Sequence, residues 1–172
     1  MKPRTLAYAG VAIALSQILS YIKFLEMPQG GSVTLGSMVP LTLFALMATP
    51  GEAFLAGGVY GILQLVLSGA PLYHPLSLLL DYILPFGSIA VVSCFTTSKS
   101  KAVMGLVIAF LLRYLSHFLS GWLLFGSYAP EGQAPWLYSA VYNASVLVEM
   151  LLTVVIVYIV YDRVVPRLRR NA

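Results

Sequence analysis

Four ionisable side chains lie within long apolar stretches of this sequence: Asp81, Arg113, His117 and Glu149. Ionisable groups in such surroundings are costly, and they usually face a protein interior or a cavity. Arg113 and His117 are four residues apart, so they share one face of a helix. Arg113 and Glu149 lie at a similar depth in their segments. We therefore expect them to form a buried ion pair between two helices rather than to contact a ligand directly.

A second set of polar and aromatic residues lies nearer one end of the same segments. The set consists of Asp81, Tyr82, His117, Gly121, Tyr138, Tyr142 and Asn143. Together these residues would give a pocket a carboxylate, an imidazole, an amide and several aromatic faces. Aromatic faces attract cations, and the amide of Asn143 can both donate to and accept from an aminopyrimidine edge. This chemistry suits a flat, nitrogen-rich ring that carries positive charge.

The segment SGWLLFGSYAPEGQAPWLYSAVYNAS, residues 120–145, interrupts the apolar sequence with aromatic residues, Gly and Pro. Tyr and Trp are enriched at membrane interfaces even where no ligand binds. For Tyr73, Tyr128 and Trp136, interface anchoring and pocket lining are therefore both open. His74 lies in a short loop, and we expect it to be a solvated loop residue.

The composition is that of an integral membrane protein. Of the 172 residues, 59% are hydrophobic and 9% are charged, with a mean hydropathy of +0.88, whereas soluble domains carry roughly 25% charged residues. The net charge is +4, but the ten Lys and Arg residues are too thinly spread for a nucleic-acid-binding surface. The one cysteine, Cys94, cannot form an internal disulfide, and no Cys and His cluster has metal-ligand spacing. We expect a single membrane domain over residues 1–172, in contact with the lipid bilayer and without a metal or a cofactor.

Six apolar segments are long enough, or nearly so, to cross a bilayer core, which requires about 20 residues per helix. They cover residues 5–24, 37–49, 52–69, 75–96, 102–124 and 138–161. The first is interpreted as a transmembrane helix rather than a cleaved signal peptide, because no clear cleavage site leads into a polar mature chain. Ser37 is a candidate N-cap for the second segment, and TPGE at 49–52 predicts a tight turn into the third. Eight of the ten basic residues fall on one side of six helices, so both termini are expected in the cytoplasm.

Small residues form a smooth stripe on the first helix. Gly10 and Ala14 are four residues apart, and small residues at this spacing let helices approach closely. The stripe suits either packing within the protein or a partner helix. GGVYG at 57–61 is not a phosphate-binding loop, because it lies inside an apolar helix and lacks the GKS/T signature. The chain thus has no sign of an ATP-hydrolysing motor of its own.

Four motifs, in the right order, resemble the thiamine-specific substrate-binding S-components of energy-coupling factor (ECF) vitamin transporters. They are PQGGSVTLGSMVPL (28–41), HPLSLLLDY (74–82), RYLSHFLSG (113–121) and YAPEGQAPWLYSAVYN (128–143). The resemblance implies an all-α integral membrane protein of the S-component fold, with six transmembrane helices, in a prokaryotic plasma membrane. It implies a binding protein, not an enzyme, that captures thiamine outside with high affinity. Delivery would follow docking on a membrane coupling protein with two ATP-binding-cassette ATPases.

The resemblance also implies roles for residues of the fourth and fifth segments. The family's acidic residue followed by Tyr is matched by Asp81 and Tyr82. The usual acid is Glu, so Asp81 is one methylene shorter and needs a closer helix or a water molecule to reach the ligand. The family's histidine matches His117, with Gly121 one turn later. The stacking aromatic residue, usually Trp, is Phe125 here, and Phe is a weaker partner for a cation.

Further residues follow from the same resemblance. The Tyr and Asn at the start of the family's sixth helix match Tyr138 and Asn143. The loop GGSVTLGS, residues 30–37, resembles the family's lid over the site, and its two leading glycines would let it move. The stripe with Gly10 and Ala14 is similar to the family's surface for the coupling protein.

Three other functions remain open. The same fold could bind the hydroxymethylpyrimidine precursor or another vitamin, since the short Asp81 and the missing Trp matter less for a neutral pyrimidine. An intramembrane hydrolase could use Ser116 or Ser120 with His117, although adjacent helical residues point about 100° apart and no strained nucleophile turn is visible. A stand-alone proton-coupled carrier could use Asp81 or Glu149, but the six segments contain no detectable internal repeat.

Overall fold

The computed structural model describes residues 1–26, 32–69 and 72–171, without the side chains at 169 and 171. In these ranges the protein is mostly helical and has one small antiparallel sheet. The leading glycines of the expected lid loop, Gly30 and Gly31, lie outside the described residues.

The first helix, α1, spans Pro3–Ser20 and ends earlier than predicted. The chain then enters a two-stranded antiparallel sheet of β1 (Lys23–Glu26) and β2 (Ser32–Thr34). The predicted helix boundary at 24 is wrong because the apolar pair Phe24 and Leu25 belongs to β1, and hydropathy does not separate a short apolar strand from a helix end. The fold is thus mostly helical rather than entirely helical.

The second predicted segment, 37–49, forms only a short helix, α2, over Val39–Ala45. Seven residues at a rise of about 1.5 Å give about 10 Å, a third of the roughly 30 Å hydrocarbon core. The predicted cap is wrong, because Met38 holds the N-cap position and the Ser37 hydroxyl donates to Glu149 at 2.9 Å. Hydrogen bonds to a charged acceptor are stronger than those to a neutral partner.

The third helix, α3, spans Pro50–Ser68 and starts two residues before the predicted segment. Thr49 N donates to Glu52 Oε2 at 3.0 Å, and Glu52 N donates to Thr49 Oγ1 at 3.4 Å. This reciprocal capping box satisfies two backbone N–H groups at the start of the helix. Residues 50–52 of the predicted turn thus belong to the first turn of the helix, and Thr49 is its N-cap.

The fourth helix, α4, spans Pro75–Cys94 and is irregular along most of its length. After one α-helical turn it continues as a π-helix over Leu78–Ile83, and it ends as a 3-10 helix over Ser88–Cys94. Short π-helical turns are rare and occur frequently at functional sites. The fifth helix, α5, spans Lys99–Leu123 and is a regular α-helix.

The sixth predicted segment contains two helices rather than one. α6 spans Pro135–Tyr142, α7 spans Ser145–Asn171, and the break falls at Asn143. Asn143 Nδ2 donates to Ser139 O at 3.0 Å, the same carbonyl that accepts from Asn143 N at 3.0 Å. Asn side chains that bond to nearby backbone in this way compete with helical hydrogen bonds.

Glycines let α3 and α4 pack with their backbones in contact. A Cβ atom at Gly57 would overlap the carbonyl of Phe86, and one at Gly61 would overlap the carbonyl of Tyr82. Between them on α3, Tyr60 is fully buried and meets Phe86 edge-on at 5.0 Å. This close approach fixes the position of the π-helical turn that carries the predicted site acid.

The described residues include four helices that are long and apolar enough to cross a membrane. They are Pro50–Ser68, Pro75–Cys94, Lys99–Leu123 and Pro135–Leu168.

Candidate functional site

A cavity of about 760 Å³ lies between the helices. Small-molecule sites usually have volumes of about 300–1,000 Å³. All eight residues that the sequence predicts as ligand-binding line this cavity: Asp81, Tyr82, His117, Gly121, Phe125, Tyr138, Tyr142 and Asn143. Among the residues that the structure describes, no group of three or more His, Cys, Asp and Glu side chains could hold a metal ion.

Asp81 enters the cavity from the π-helical turn of α4 and is held by α5. Its Oδ1 lies 3.3 Å from Nδ1 of His117, and its Oδ2 accepts from Ser120 Oγ at 2.6 Å. Ser116, on the same side of α5, donates from Oγ to the Leu80 carbonyl at 2.7 Å. Both serine hydroxyls are thus bonded to α4 and not to the imidazole. This geometry does not provide the nucleophile–base pair that the hydrolase hypothesis requires.

Asn143 is held through its side-chain nitrogen at the start of the last helical segment. Nδ2 lies 3.2 Å from His117 O, 3.0 Å from Ser139 O and 3.2 Å from Ser139 Oγ. Ser139 Oγ in turn donates to Phe118 O at 2.7 Å. A Cβ atom at Gly121 would overlap Ser139 Oγ and approach Asn143 Nδ2 to 3.3 Å. Gly121 therefore permits the contact between α5 and α6 that brings His117 and Asn143 together.

Aromatic rings form another part of the cavity wall. The Phe125 ring lies 6.4 Å from Tyr73, edge-on, and 6.1 Å from Tyr128. Tyr138 and Tyr142 form a second pair with ring centres 5.7 Å apart. All five side chains line the cavity. Such rings can contact a cation through their faces.

The structure separates the aromatic residues whose role was open. Tyr73 and Tyr128 line the cavity, whereas Trp136 is exposed and lies outside it. His74 is an exposed loop residue, as expected, and its Nδ1 accepts from Leu76 N at 3.1 Å. Membrane-interface anchoring thus stays the interpretation for Trp136, while for Tyr73 and Tyr128, which are 68% and 48% exposed, it stays open beside cavity lining.

The predicted ion pair between α5 and α7 forms, and both partners line the cavity. Arg113 NH1 lies 3.4 Å from Glu149 Oε2, and Glu149 is only 2% exposed. The other carboxylate oxygen, Oε1, accepts from Thr34 Oγ1 at 2.7 Å and from Ser37 Oγ at 2.9 Å. The guanidinium lies 4.6 Å above the Phe86 ring. The opposite charges of this pair thus face each other, but Nε and NH1 of Arg113 are buried and have no hydrogen-bond partner among the described residues.

Sequence reasoning missed the hydroxyls that hold these groups in position. Ser120 is three residues after His117, and Ser139 is four residues before Asn143, so helical spacing could have indicated both. Thr34 and Ser37 are more than a hundred residues from Glu149 in the sequence, and no local sequence pattern predicts their contact with it.

The stripe of small residues on α1 faces outward. Gly10 and Ala14 are both exposed, whereas Ala9 and Ala12 are buried. A Cβ atom at Gly10 would have no heavy atom within 4 Å. The stripe was expected either to pack within the protein or to contact a partner helix. Within the described part of the chain, Gly10 takes no part in internal packing.

The fold and the site define a helical membrane protein with a ligand-sized cavity between its helices. Residues 6–169 match the family described as Thiamine transporter protein. The thiamine transporter ThiT of Bacillus subtilis (strain 168) is 35% identical over 161 residues, which cover 86% of this chain and 83% of that protein. ThiT of Lacticaseibacillus paracasei is 31% identical over 137 residues, with coverages of 70% and 68%.

A solved structure of ThiT from Listeria monocytogenes has a TM-score of 0.81 and 26% identity, and the match covers 92% of this chain and 93% of that one. The chain therefore belongs to the thiamine transporter protein family. It is a multi-pass membrane protein of a transporter family and not an enzyme.

Proposed function

We propose that this protein is the thiamine-binding S-component of an ECF-type importer, and that it binds thiamine in the cavity described above. Its similarity to two thiamine transporters supports thiamine as the ligand. The observation that carries the location is that all eight residues predicted from the sequence line one cavity. His117 and Asn143 bind the aminopyrimidine edge, Asp81 places a negative charge beside it, and the rings around Phe125 contact the cationic thiazolium.

The charge of the cavity supports a cationic ligand over the neutral hydroxymethylpyrimidine. Lys23 and Glu26 pair at 2.7 Å, and Arg113 and Glu149 pair at 3.4 Å. With His117 neutral, the charged residues that line the cavity leave Asp81 as one net negative charge. A single positive charge on the ligand would complement it.

We further propose six membrane crossings within one domain over residues 1–172, with both termini in the cytoplasm. Lys99 and Asp162 pair at 2.7 Å, which supports the same side for the start of α5 and the basic end of α7. Thr34 and Ser37 already contact Glu149, four residues after the start of α7. The residues before α2 therefore contribute to the second crossing, so that the short helix does not span the bilayer alone.

Coupling to ATP hydrolysis would use the exposed face of α1 as the docking surface for the ECF membrane coupling protein and its two ATPases. A large side chain in place of Ala14 should block close helix contact there. We expect Ala14→Trp to lose co-purification with the coupling protein while thiamine binding is unchanged. Val59→Trp, on an exposed part of α3, serves as the control. Equal co-purification of both variants would contradict this docking surface.

The binding proposal is tested by titrating the purified protein in detergent with thiamine and following intrinsic fluorescence. We expect saturation at submicromolar ligand, with binding weakened at least tenfold, about 1.4 kcal/mol, by Asp81→Ala and by His117→Ala. Asp162→Ala and His74→Ala remove the same side-chain types outside the cavity and should bind as the unaltered protein does.

Hydroxymethylpyrimidine is titrated in parallel. A response to this compound but not to thiamine would keep the fold and change the ligand. Thiamine binding that survives both cavity substitutions would refute the proposed location.

A further inference from the structure

Both carboxylate oxygens of Asp81 are already bonded within the protein. Oδ1 faces Nδ1 of His117 at 3.3 Å, and Oδ2 accepts the Ser120 hydroxyl at 2.6 Å. Ser120 is fully buried, and Asp81 and His117 are partly buried. An ionised carboxylate has only acceptors, so the imidazole nitrogen that faces it must carry the proton. His117 is thus directed toward the tautomer with N–H at Nδ1.

The π-helical turn of α4 is what brings Asp81 to α5. Ser116 donates to the Leu80 carbonyl at 2.7 Å within this turn, and Ser120 binds the next residue's side chain one helical turn later on α5. These two bonds hold the short Asp side chain against His117. They explain in physical terms how Asp can occupy a position where the resemblance implies the longer Glu.

Asn143 has a similarly fixed orientation. Its Nδ2 carries two hydrogens and lies within 3.2 Å of three protein oxygens, on His117 and Ser139. The amide nitrogen is therefore occupied, and the described residues give Oδ1 no hydrogen-bond donor. From the sequence alone, Asn143 could both donate to and accept from a ligand. In the structure only its Oδ1 acceptor is available to a ligand.

We propose that His117 is a neutral ring and that Asp81 and Ser120 are positioning residues that fix its proton on Nδ1, so that this wall presents two acceptors, His117 Nε2 and Asn143 Oδ1. Such a wall selects a heteroaromatic edge that carries an amino donor, and it rejects the same ring with a carbonyl in that place. The inference rests on the proposed function and specifies how the site recognises its ligand. Asp81 acts on the ligand through His117 and through its charge, rather than as a free hydrogen-bonding group.

The first test compares thiamine with its analogue in which an oxo group replaces the amino group of the pyrimidine. Binding of each to the purified full chain in detergent is measured by titration calorimetry. We expect the analogue to bind at least about 100-fold more weakly, because its carbonyl would oppose an acceptor that the amino group satisfies, and its ring N–H can pair with only the other one. The same pair of ligands is then measured with Asp81→Asn and with Ser120→Ala.

Asp81→Asn keeps the shape of the side chain but can donate as well as accept, so His117 can take either tautomer. We expect thiamine affinity to fall while the analogue is little affected, so that the ratio of the two affinities drops to less than about tenfold. Ser120→Ala should move the ratio in the same direction by a smaller factor. A merely structural role for either residue would weaken both ligands in parallel and leave the ratio unchanged.

Nitrogen NMR of histidine provides the second readout, and it does not depend on ligand binding. The chain has two histidines, so ¹⁵N-histidine labelling gives two rings, and His74→Gln assigns them. We expect His117 to show a protonated Nδ1 and an unprotonated Nε2, and Asp81→Asn to shift this pattern.

The outcomes separate the two proposals. Absence of thiamine binding would remove the proposed function, while the NMR pattern would still test the tautomer. Thiamine binding with equal affinity for the oxo analogue would overturn the present inference alone. A His117 ring protonated at Nε2, or at both nitrogens, would also overturn it, and so would parallel losses of both ligands in the two variants.

Discussion

Thr34 and Glu149 are 115 residues apart in the sequence, and the Thr34 hydroxyl donates to a carboxylate oxygen of Glu149 at 2.7 Å. Both side chains are buried, with 5% and 2% of their surface exposed. The bond joins the end of β2 to the start of α7, and the same carboxylate pairs with Arg113 on α5. One buried group thus connects the two-stranded sheet, two long helices and the cavity lining.

The first prediction concerns these hydroxyls. Thr34→Val and Ser37→Ala each remove a donor from the buried carboxylate, and hydrogen bonds to charged groups contribute about 1.5–3 kcal/mol. We expect each variant to lose about 1–3 kcal/mol in free energy of unfolding, measured by denaturant titration in mixed micelles.

Thr42→Val is the matched control for this measurement. Thr42 is fully buried, but its hydroxyl bonds only to the Met38 carbonyl, which also accepts from Thr42 N. We expect a loss below about 1 kcal/mol, since no buried group becomes unpaired. Equal losses of unfolding free energy at Thr34 and Thr42 would mean that the bond to Glu149 stabilises the protein no more than an ordinary buried hydrogen bond.

The second prediction concerns the ion pair. Removing one partner of a buried pair leaves an uncompensated charge and costs about 3–5 kcal/mol, whereas replacing both by apolar residues is often nearly neutral. We expect Arg113→Met and Glu149→Met each to destabilise strongly, and the double variant to lose much less than the sum. A double-mutant cycle at the surface pair Lys99 and Asp162 is the control. We expect its coupling free energy to be below about 1 kcal/mol. Additive losses at Arg113 and Glu149 would contradict a direct pairing.

Much of the architecture could be predicted because hydropathy and small-residue spacing are local properties. The segments at 52–69, 75–96 and 102–124 correspond closely to α3, α4 and α5. The end of α1 and the break at Asn143 could not be predicted. The first depends on pairing with β2, and the second on a side-chain bond to Ser139.

The candidate site followed a similar pattern. Ligand-binding candidates such as Asp81 and His117 could be predicted from the sequence, because polar residues are rare within apolar helices. Their orientation was not visible, since it depends on Ser120 and on the π-helical turn. Serine is common in membrane helices, so its presence alone gives no signal of a supporting role.

The third prediction tests the close packing of α3 on α4. A Cβ atom at Gly57 would overlap the Phe86 carbonyl, so Gly57→Ala requires the two helices to separate. Overpacking of this kind costs about 1–3 kcal/mol, and the displaced α4 should also weaken thiamine binding. Gly10→Ala is the control, because the added methyl group meets nothing within 4 Å and alanine has the higher helix propensity. A loss of stability in both variants would show that backbone contact at Gly57 is not the cause.

The fourth prediction concerns Phe125, which lies at the position where the resemblance implies a Trp. Phe125 lies in the aromatic wall between Tyr73 and Tyr128, and Trp is the better partner for a cation. We expect Phe125→Trp to raise thiamine affinity by about two- to fivefold, the equivalent of about 0.5–1 kcal/mol, measured by titration calorimetry. Affinity for a neutral pyrimidine should not rise, because it carries no charge for the ring face to attract. Phe118→Trp introduces the same ring at a position outside the cavity and should change neither affinity. An equal gain for the neutral and the cationic ligand would show that the larger ring acts by packing alone, and the thiazolium would then have to lie elsewhere in the cavity.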